Sequence, residues 1–256
     1  MKLFVGIVTC RKNLAKIEYL RKTWLKDLKN YNIEYKIFIG KNDDVVSNND
    51  IIVLDVDDDY ESLKQKTRGV LEYANKNIEY DYILKTDDDT FVDVYNLKHL
   101  NFDLKQYVGW FSCIKMHKRM LSNYIEYMKK RSLRKNLDHS FIDKLDIGLV
   151  YAVGGYYLLK KDIVLPLLNI INSDPLFTEI LQEDISIGYA CSKINASTFD
   201  LYSKFNWYQV SSNNTFFHPI NFMIMEELYN NKDYTKRLKI LENKIILNNN
   251  FRFRLK

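Results

Sequence analysis

Residues 80–92 read YDYILKTDDDTFV. Tyr82, Ile83 and Leu84 have strand character, three aspartates follow without a break, and Phe91 and Val92 return to apolar sequence. Asp87, Asp88 and Asp89 are therefore expected at a strand end and not on a solvated helix face. Side chains alternate faces along a strand, so extended geometry through the triplet would send Asp87 and Asp89 to one side and Asp88 to the other. Two carboxylates on one side stay ionised cheaply only beside a cation, and a hard divalent ion is the natural partner. The competing reading is a solvated acidic loop. The apolar strand ahead, ending in Lys85 and Thr86, and the strand-like residues behind favour the first.

Outward from the triplet, the first half of the chain alternates short β-rich runs with helical patterns. LFVGIVT is followed by a helix-like stretch from Leu14 to Asn30, then YKIFIG, IIVLDV, a helix-like stretch from Tyr60 to Lys76, and DYILKT. Such alternation predicts βαβ units: an α/β fold with a Rossmann-like, mixed but mostly parallel sheet and helices on both faces. Ligands of such sheets gather at the carboxyl ends of the strands. Thr9, Gly40, Asp55 and the triplet each follow a predicted strand and are expected on one rim. GLVYAVGGYYLLKKDI reads as sheet with a glycine turn, and LQEDISIGYA carries an acidic pair, Glu183 and Asp184. Lys232 to Leu247, with Leu238, Leu241 and Ile245 apolar, reads as an amphipathic helix. The expected division is residues 1–230 as a catalytic-type domain and 231–256 as a C-terminal helix with a basic tail.

Composition narrows the function classes. The chain has 256 residues, 46% hydrophobic and 28% charged, with a net charge of +5 that is not focused in a tail. That is the balance of a soluble globular protein, and it does not point to nucleic acid as a partner. The stretch from Lys115 to Lys135 holds eight basic residues against one glutamate. It reads first as a solvated helix and second as a surface for an anionic glycan. Cys10, Cys113 and Cys191 are too widely spaced for a disulfide framework or a zinc site, and no apolar run reaches the roughly 20 residues of a spanning helix. A soluble, cytoplasm-like protein with no transmembrane anchor is the expectation.

LKTDDDTFV resembles the acidic segment of the β-1,3-galactosyltransferase and fringe-like family of inverting glycosyltransferases. Other stretches match in the same order. Arg21-Lys22-Thr23-Trp24 is similar to the family's R-x-T-W, Phe38 to Gly40 falls at its second strand, and DVDDDYESLKQKT agrees at Asp55, Asp58, Tyr60, Leu63, Lys66 and Thr67. GGYYLLKKD resembles the family's glycine turn, and Glu183-Asp184 with Gly188 its E-D-V-x-x-G. The order holds from Lys2 to about Ile220.

The resemblance implies a GT-A-type fold and a Mn²⁺-dependent enzyme (Mg²⁺ being the substitute) that moves a hexose from a UDP-sugar to a glycan, glycoprotein or glycolipid hydroxyl through a β-1,3 linkage. The hexose is galactose, glucose or N-acetylglucosamine. By the same resemblance Asp89 and His218 hold the metal, and Asp184 is the catalytic base. Thr9, Arg21, Lys66, Asp87, Asp88, Gly154 and Gly155 face the nucleotide-sugar, and Glu183 either orients its loop or stays in solvent. The chemistry suits these groups: a carboxylate takes the acceptor proton while a cation offsets charge on a departing diphosphate. A two-carboxylate hydrolase pair would leave the triplet and His218 unexplained. The alternative to an enzyme is a non-catalytic glycan- or nucleotide-binding module of the same fold.

The chain departs from the family pattern in three places. Lys16-Ile17 stands where an additional arginine is common. Tyr156 occupies the place of a second small residue, where its ring would crowd a bulky donor sugar. The anchor and disulfides of luminal members are missing, so the sequons at Asn195 and Asn213 are expected to be unused.

Overall fold

The computed structural model describes residues 1–41, 49–99, 104–115, 117–119, 139–201, 217–219 and 229–230, with the backbone alone at 95, 96, 98, 154 and 217–219. The basic stretch is described only at 115 and 117–119, and the expected C-terminal helix lies outside the described residues.

Nine strands are described: β1 (Leu3–Val8), β2 (Glu34–Gly40), β3 (Ile51–Leu54), β4 (Tyr82–Asp87), β5 (Thr90–Val92), β6 (Tyr107–Cys113), β7 (Val150–Lys160), β8 (Thr198–Asp200) and β9 (Phe217–Pro219). Seven of them form one sheet in the order β3-β2-β1-β4-β7-β6-β8, and β5 pairs with β9. The pairings β3-β2, β2-β1, β1-β4 and β6-β8 are parallel, whereas β7 runs antiparallel to β4 and β6. This is the mixed, mostly parallel α/β sheet read from the sequence.

The helices are α1 (Leu14–Lys22), α2 (Trp24–Asn30), α3 (Leu63–Asn77), α4 (Val94–His99), α5 (Lys161–Ser173), α6 (Pro175–Glu179) and α7 (Glu183–Lys193). They cover both faces of the sheet, so central strands are buried throughout: every residue of β1 is buried. Alternation divides the core. Phe4, Val8 and Ile83 join Val70, Ile163 and Ile185 on the face carrying α3, α5 and α7, while Val5, Ile7 and Leu84 join Ile17, Leu20 and Trp24 on the face of α1 and α2.

Two elements differ from the sequence expectation. The single helix expected from Leu14 to Asn30 is broken at Thr23, whose backbone leaves the helical region while its hydroxyl donates to the Tyr19 carbonyl at 2.8 Å. A threonine that bonds back to the preceding turn competes with helix continuation, and the break lets Trp24 bury fully. The glycine turn is no turn. Gly154 and Gly155 lie inside the eleven-residue strand β7, between the stretches that pair with β6 and at the register irregularity that separates them.

The strand order places the site. The chain moves outward from β1 to β2 and β3, then crosses back over the sheet through α3 to β4, so β1 and β4 flank a topological switch point. Their carboxyl ends open a crevice there.

Candidate active site

Thr9 follows β1 and the triplet closes β4, so both stand at the switch point. The Thr9 hydroxyl donates to Asp88 Oδ2 at 2.5 Å, Asn13 Nδ2 donates to the same oxygen at 3.0 Å, and Lys16 Nζ lies 3.2 Å from Oδ1. Asp88 is thus buried and held on the α1 face. Lys16, where the family often has arginine, supplies positive charge to the triplet itself.

Asp87 takes the opposite direction. Its Oδ1 is 2.7 Å from Lys85 Nζ, and Lys85, with no exposed surface, also reaches Glu183 Oε2 at 3.3 Å. The other oxygen of Glu183 accepts from the Thr67 hydroxyl at 2.9 Å and from the Tyr157 hydroxyl. Burial pushes the Asp87 carboxyl up to about 7, Asp89 and Glu183 adding to the push and Lys85 opposing it. Burial alone would drive the Lys85 ammonium down, but Asp87 and Glu183 outweigh it and hold the group above its ordinary value. Burial, reinforced by Glu183, keeps the Tyr157 hydroxyl protonated and able to donate. The sequence reading passed over Lys85 and Tyr157. A lysine inside the apolar run YILKT was the available signal, since a buried ammonium requires carboxylate partners.

Asp89 lies in the turn after β4, half-buried, and among the described residues its carboxylate has no side-chain partner, only a hydrogen bond from its own backbone amide. Burial and neighbouring Asp88 raise its carboxyl, against the pull of Lys16. Four carboxylates, Asp87, Asp88, Asp89 and Glu183, are here offset by two ammonium groups, Lys16 and Lys85. The surplus negative charge and the uncommitted Asp89 fit a divalent cation. Among the described residues no three His, Cys, Asp or Glu side chains form a ready-made metal cluster. The backbone of β9 sets His218 opposite Phe91 of β5, two residues beyond Asp89, so strand pairing returns the His218 segment to the triplet's neighbourhood.

Glu183 opens α7 and is buried, so it does not stay in solvent. Asp184 follows, half-buried, with Oδ1 accepting from the Ile185 amide at 2.9 Å. A Cβ on Gly188 would lie 2.4 Å from Tyr151 Cβ and 2.9 Å from the Val150 carbonyl oxygen, so only glycine lets α7 seat this close to β7. Beside Asp184 stands a polar group that the sequence reading missed. His117 Nδ1 is 3.3 Å from the Tyr151 hydroxyl, and Gln182 Nε2 is 3.4 Å from His117 Nε2. Burial, with His139 nearby, pushes the His117 imidazole below its ordinary value.

Lys66 is buried with Nζ 2.6 Å from Asp58 Oδ1 and 3.0 Å from the Thr9 carbonyl oxygen. Asp58 also accepts from the Gly40 amide at 2.8 Å and the Arg11 amide at 2.5 Å. The segment after β3 therefore closes over the rim, and a Cβ on Gly40 would lie 2.5 Å from the Asp57 carbonyl oxygen. Asp55 points away, exposed, 3.0 Å from Lys41 Nζ. Gly155 lies against the residues on either side of the triplet: its carbonyl accepts from Thr86 and Thr90 hydroxyls at 3.3 and 3.1 Å, with Gly154 beside it in β7.

Arg21 is not brought to this rim. It stands near the end of α1, which runs back from the rim, and it pairs with Asp50 at 2.8 Å, just before β3 and so at the amino ends of the strands. Tyr156 is also elsewhere than expected. It pairs with Thr86, faces the α1 side and is buried in that half of the core. The three cysteines are free thiols. No helix among the described residues is long and apolar enough to cross a membrane.

The chain is similar to several glycosyltransferases. It is 24% identical over 220 residues to the hydroxyproline O-galactosyltransferase GALT2 of Arabidopsis thaliana, covering 80% of this chain but 30% of the relative, so it spans about a third of that protein's length. Among solved structures it is similar to a mutant Drosophila β1,4-galactosyltransferase 7 in complex with manganese, UDP-Gal and xylobiose, with 10% identity, 94% and 79% of the two chains covered and a TM-score of 0.46. A second is a glycosyltransferase involved in glycosylation of the major capsid of PBCV-1, with 8% identity, 79% and 82% covered and a TM-score of 0.44. The model of the galactosyltransferase family matches residues 15–201, a span that holds the triplet, Glu183, Asp184 and Gly188, and the chain belongs to that family.

Proposed function

We propose that the chain is an inverting, metal-dependent glycosyltransferase that moves a hexose from a UDP-sugar to a hydroxyl of a glycan, glycoprotein or glycolipid, forming a β-1,3 linkage. Galactose is the first candidate hexose, given the family, ahead of glucose and N-acetylglucosamine. The observation that carries the reading is the pairing of Asp89, a carboxylate without a side-chain partner among the described residues, with Asp184 on a helix tied to the same strand through Glu183 and Lys85.

Asp89 and His218 are the residues that would hold Mn²⁺ or Mg²⁺, and the bound cation would offset charge on the departing diphosphate. Thr9, Asp87, Asp88 and Lys66 shape the crevice in which the nucleotide lies, and Gly155 closes its floor. Asp184 accepts the proton of the acceptor hydroxyl as that oxygen attacks the anomeric carbon from the face opposite the leaving UDP, so the centre inverts in one displacement. Calorimetric titration of UDP with and without Mn²⁺ tests the reading. Binding should require the cation and weaken strongly in Asp89→Ala and His218→Ala. Equal affinity with and without Mn²⁺ would remove the metal from the proposal.

A further inference from the structure

Lys85 is a charged side chain at the centre of the sheet, on the face of α3 and α7. It pairs in register with Gly6 of β1 and Tyr157 of β7. Its ammonium is completely buried and lies 2.7 Å from Asp87 and 3.3 Å from Glu183. Asp87 belongs to the triplet, whereas Glu183 is the first residue of α7 and the neighbour of Asp184. One ammonium thus joins the two halves of the site.

Glu183 is gripped from three elements: β4 through Lys85, α3 through Thr67, and β7 through Tyr157. A helix turns about 100° per residue, so fixing Glu183 inward fixes the direction of Asp184 beside it. The seat of Gly188 against Tyr151 removes the remaining freedom of α7 to slide on β7.

We infer that Lys85 and Glu183 are positioning residues: the bridge Asp87–Lys85–Glu183 sets the distance and direction between the donor-binding triplet and Asp184, so that the base meets the acceptor hydroxyl in line with the leaving group. The inference rests on the proposed transferase reading and adds to it a role for two buried residues that touch neither substrate. Glu183→Gln keeps the side-chain shape while removing the charge that Lys85 holds.

The test is a double-mutant cycle of Glu183→Gln with Asp184→Asn. In the single variant kcat should fall roughly 10-fold to 100-fold, as expected for a misplaced catalytic group, while UDP affinity with Mn²⁺ and the acceptor KM stay within about twofold of wild type. In the Asp184→Asn background Glu183→Gln should lower kcat no further, because the residue it positions is already gone. Additive losses, or wild-type kcat in the single variant, would overturn the inference and leave the transferase reading standing. A readout without substrate keeps the two apart: amide exchange at Ile185 and Ser186 should quicken in Glu183→Gln, and unchanged exchange overturns the positioning role even if no sugar transfer is ever detected. Should Glu183→Gln not fold, Tyr157→Phe removes one grip while keeping the ring. It should show the same pattern with a several-fold loss, and wild-type kcat together with wild-type exchange would again overturn the inference.

Discussion

At the scale of single residues, the aspartate triplet is three side chains with three different surroundings. Asp88 is enclosed by Thr9, Asn13 and Lys16, Asp87 is bound to a buried lysine, and Asp89 stands half-buried in the turn. The acidic pair divides in the same way, into a buried Glu183 and a half-buried Asp184. Removing a base that acts only in the transition state leaves ground-state binding intact. Asp184→Asn should therefore bind UDP with wild-type affinity while losing roughly 10²-fold or more in kcat, read by calorimetry beside steady-state transfer. Weakened UDP binding in this variant would assign Asp184 to the donor pocket instead. Which aspartate does what could not be read from three identical letters. Their surroundings come from residues distant in sequence: Thr9 and Asp88 are 79 positions apart, and Lys85 and Glu183 are 98 apart.

At the scale of elements, the helix that carries Asp184 is placed by a missing methyl group. Gly188→Ala would bring a Cβ to 2.4 Å from Tyr151 Cβ and 2.8 Å from its Cα, contacts with a paired strand that cannot yield easily. The helix must tilt or lift from β7. Overpacking of this kind costs about 1–3 kcal/mol, and because the displaced helix bears the proposed base, kcat should fall by more than the loss of folded protein explains. Thermal unfolding beside activity per folded molecule measures both. The glycine was legible in the sequence as part of E-D-x-x-x-G, but not its purpose. The break at Thr23 and the strand conformation of Gly154-Gly155 were misread for a related reason: local pattern suggested one long helix and a turn, whereas burial of Trp24 and the pairing of β7 on either side of the two glycines set the path of the chain.

For the whole molecule, the sheet separates two apolar clusters, and the buried charges of Lys85 and Glu183, with half-buried Asp87, sit on the α3 and α7 side. Breaking a buried ion pair by deleting one partner typically costs about 3–5 kcal/mol, because the remaining charges lose their compensation. Lys85→Met should accordingly lower Tm by roughly 6–20 °C in a domain of this size, measured by calorimetry. An unchanged Tm would mean that Asp87 and Glu183 take up protons or water without cost. The sequence by itself determined the alternation of strands and helices, the parallel character of β1 to β4, the position of the triplet at a strand end and the acidic pair, since each follows from side-chain periodicity and backbone sterics over a few neighbours. Tertiary structure alone decided that Arg21 lies at the far end of the sheet, that Tyr156 turns into the core, and that Lys85 links the triplet to α7. Those outcomes depend on which strand lies beside which and on the direction each helix runs back along the sheet, and only packing of the whole chain fixes either.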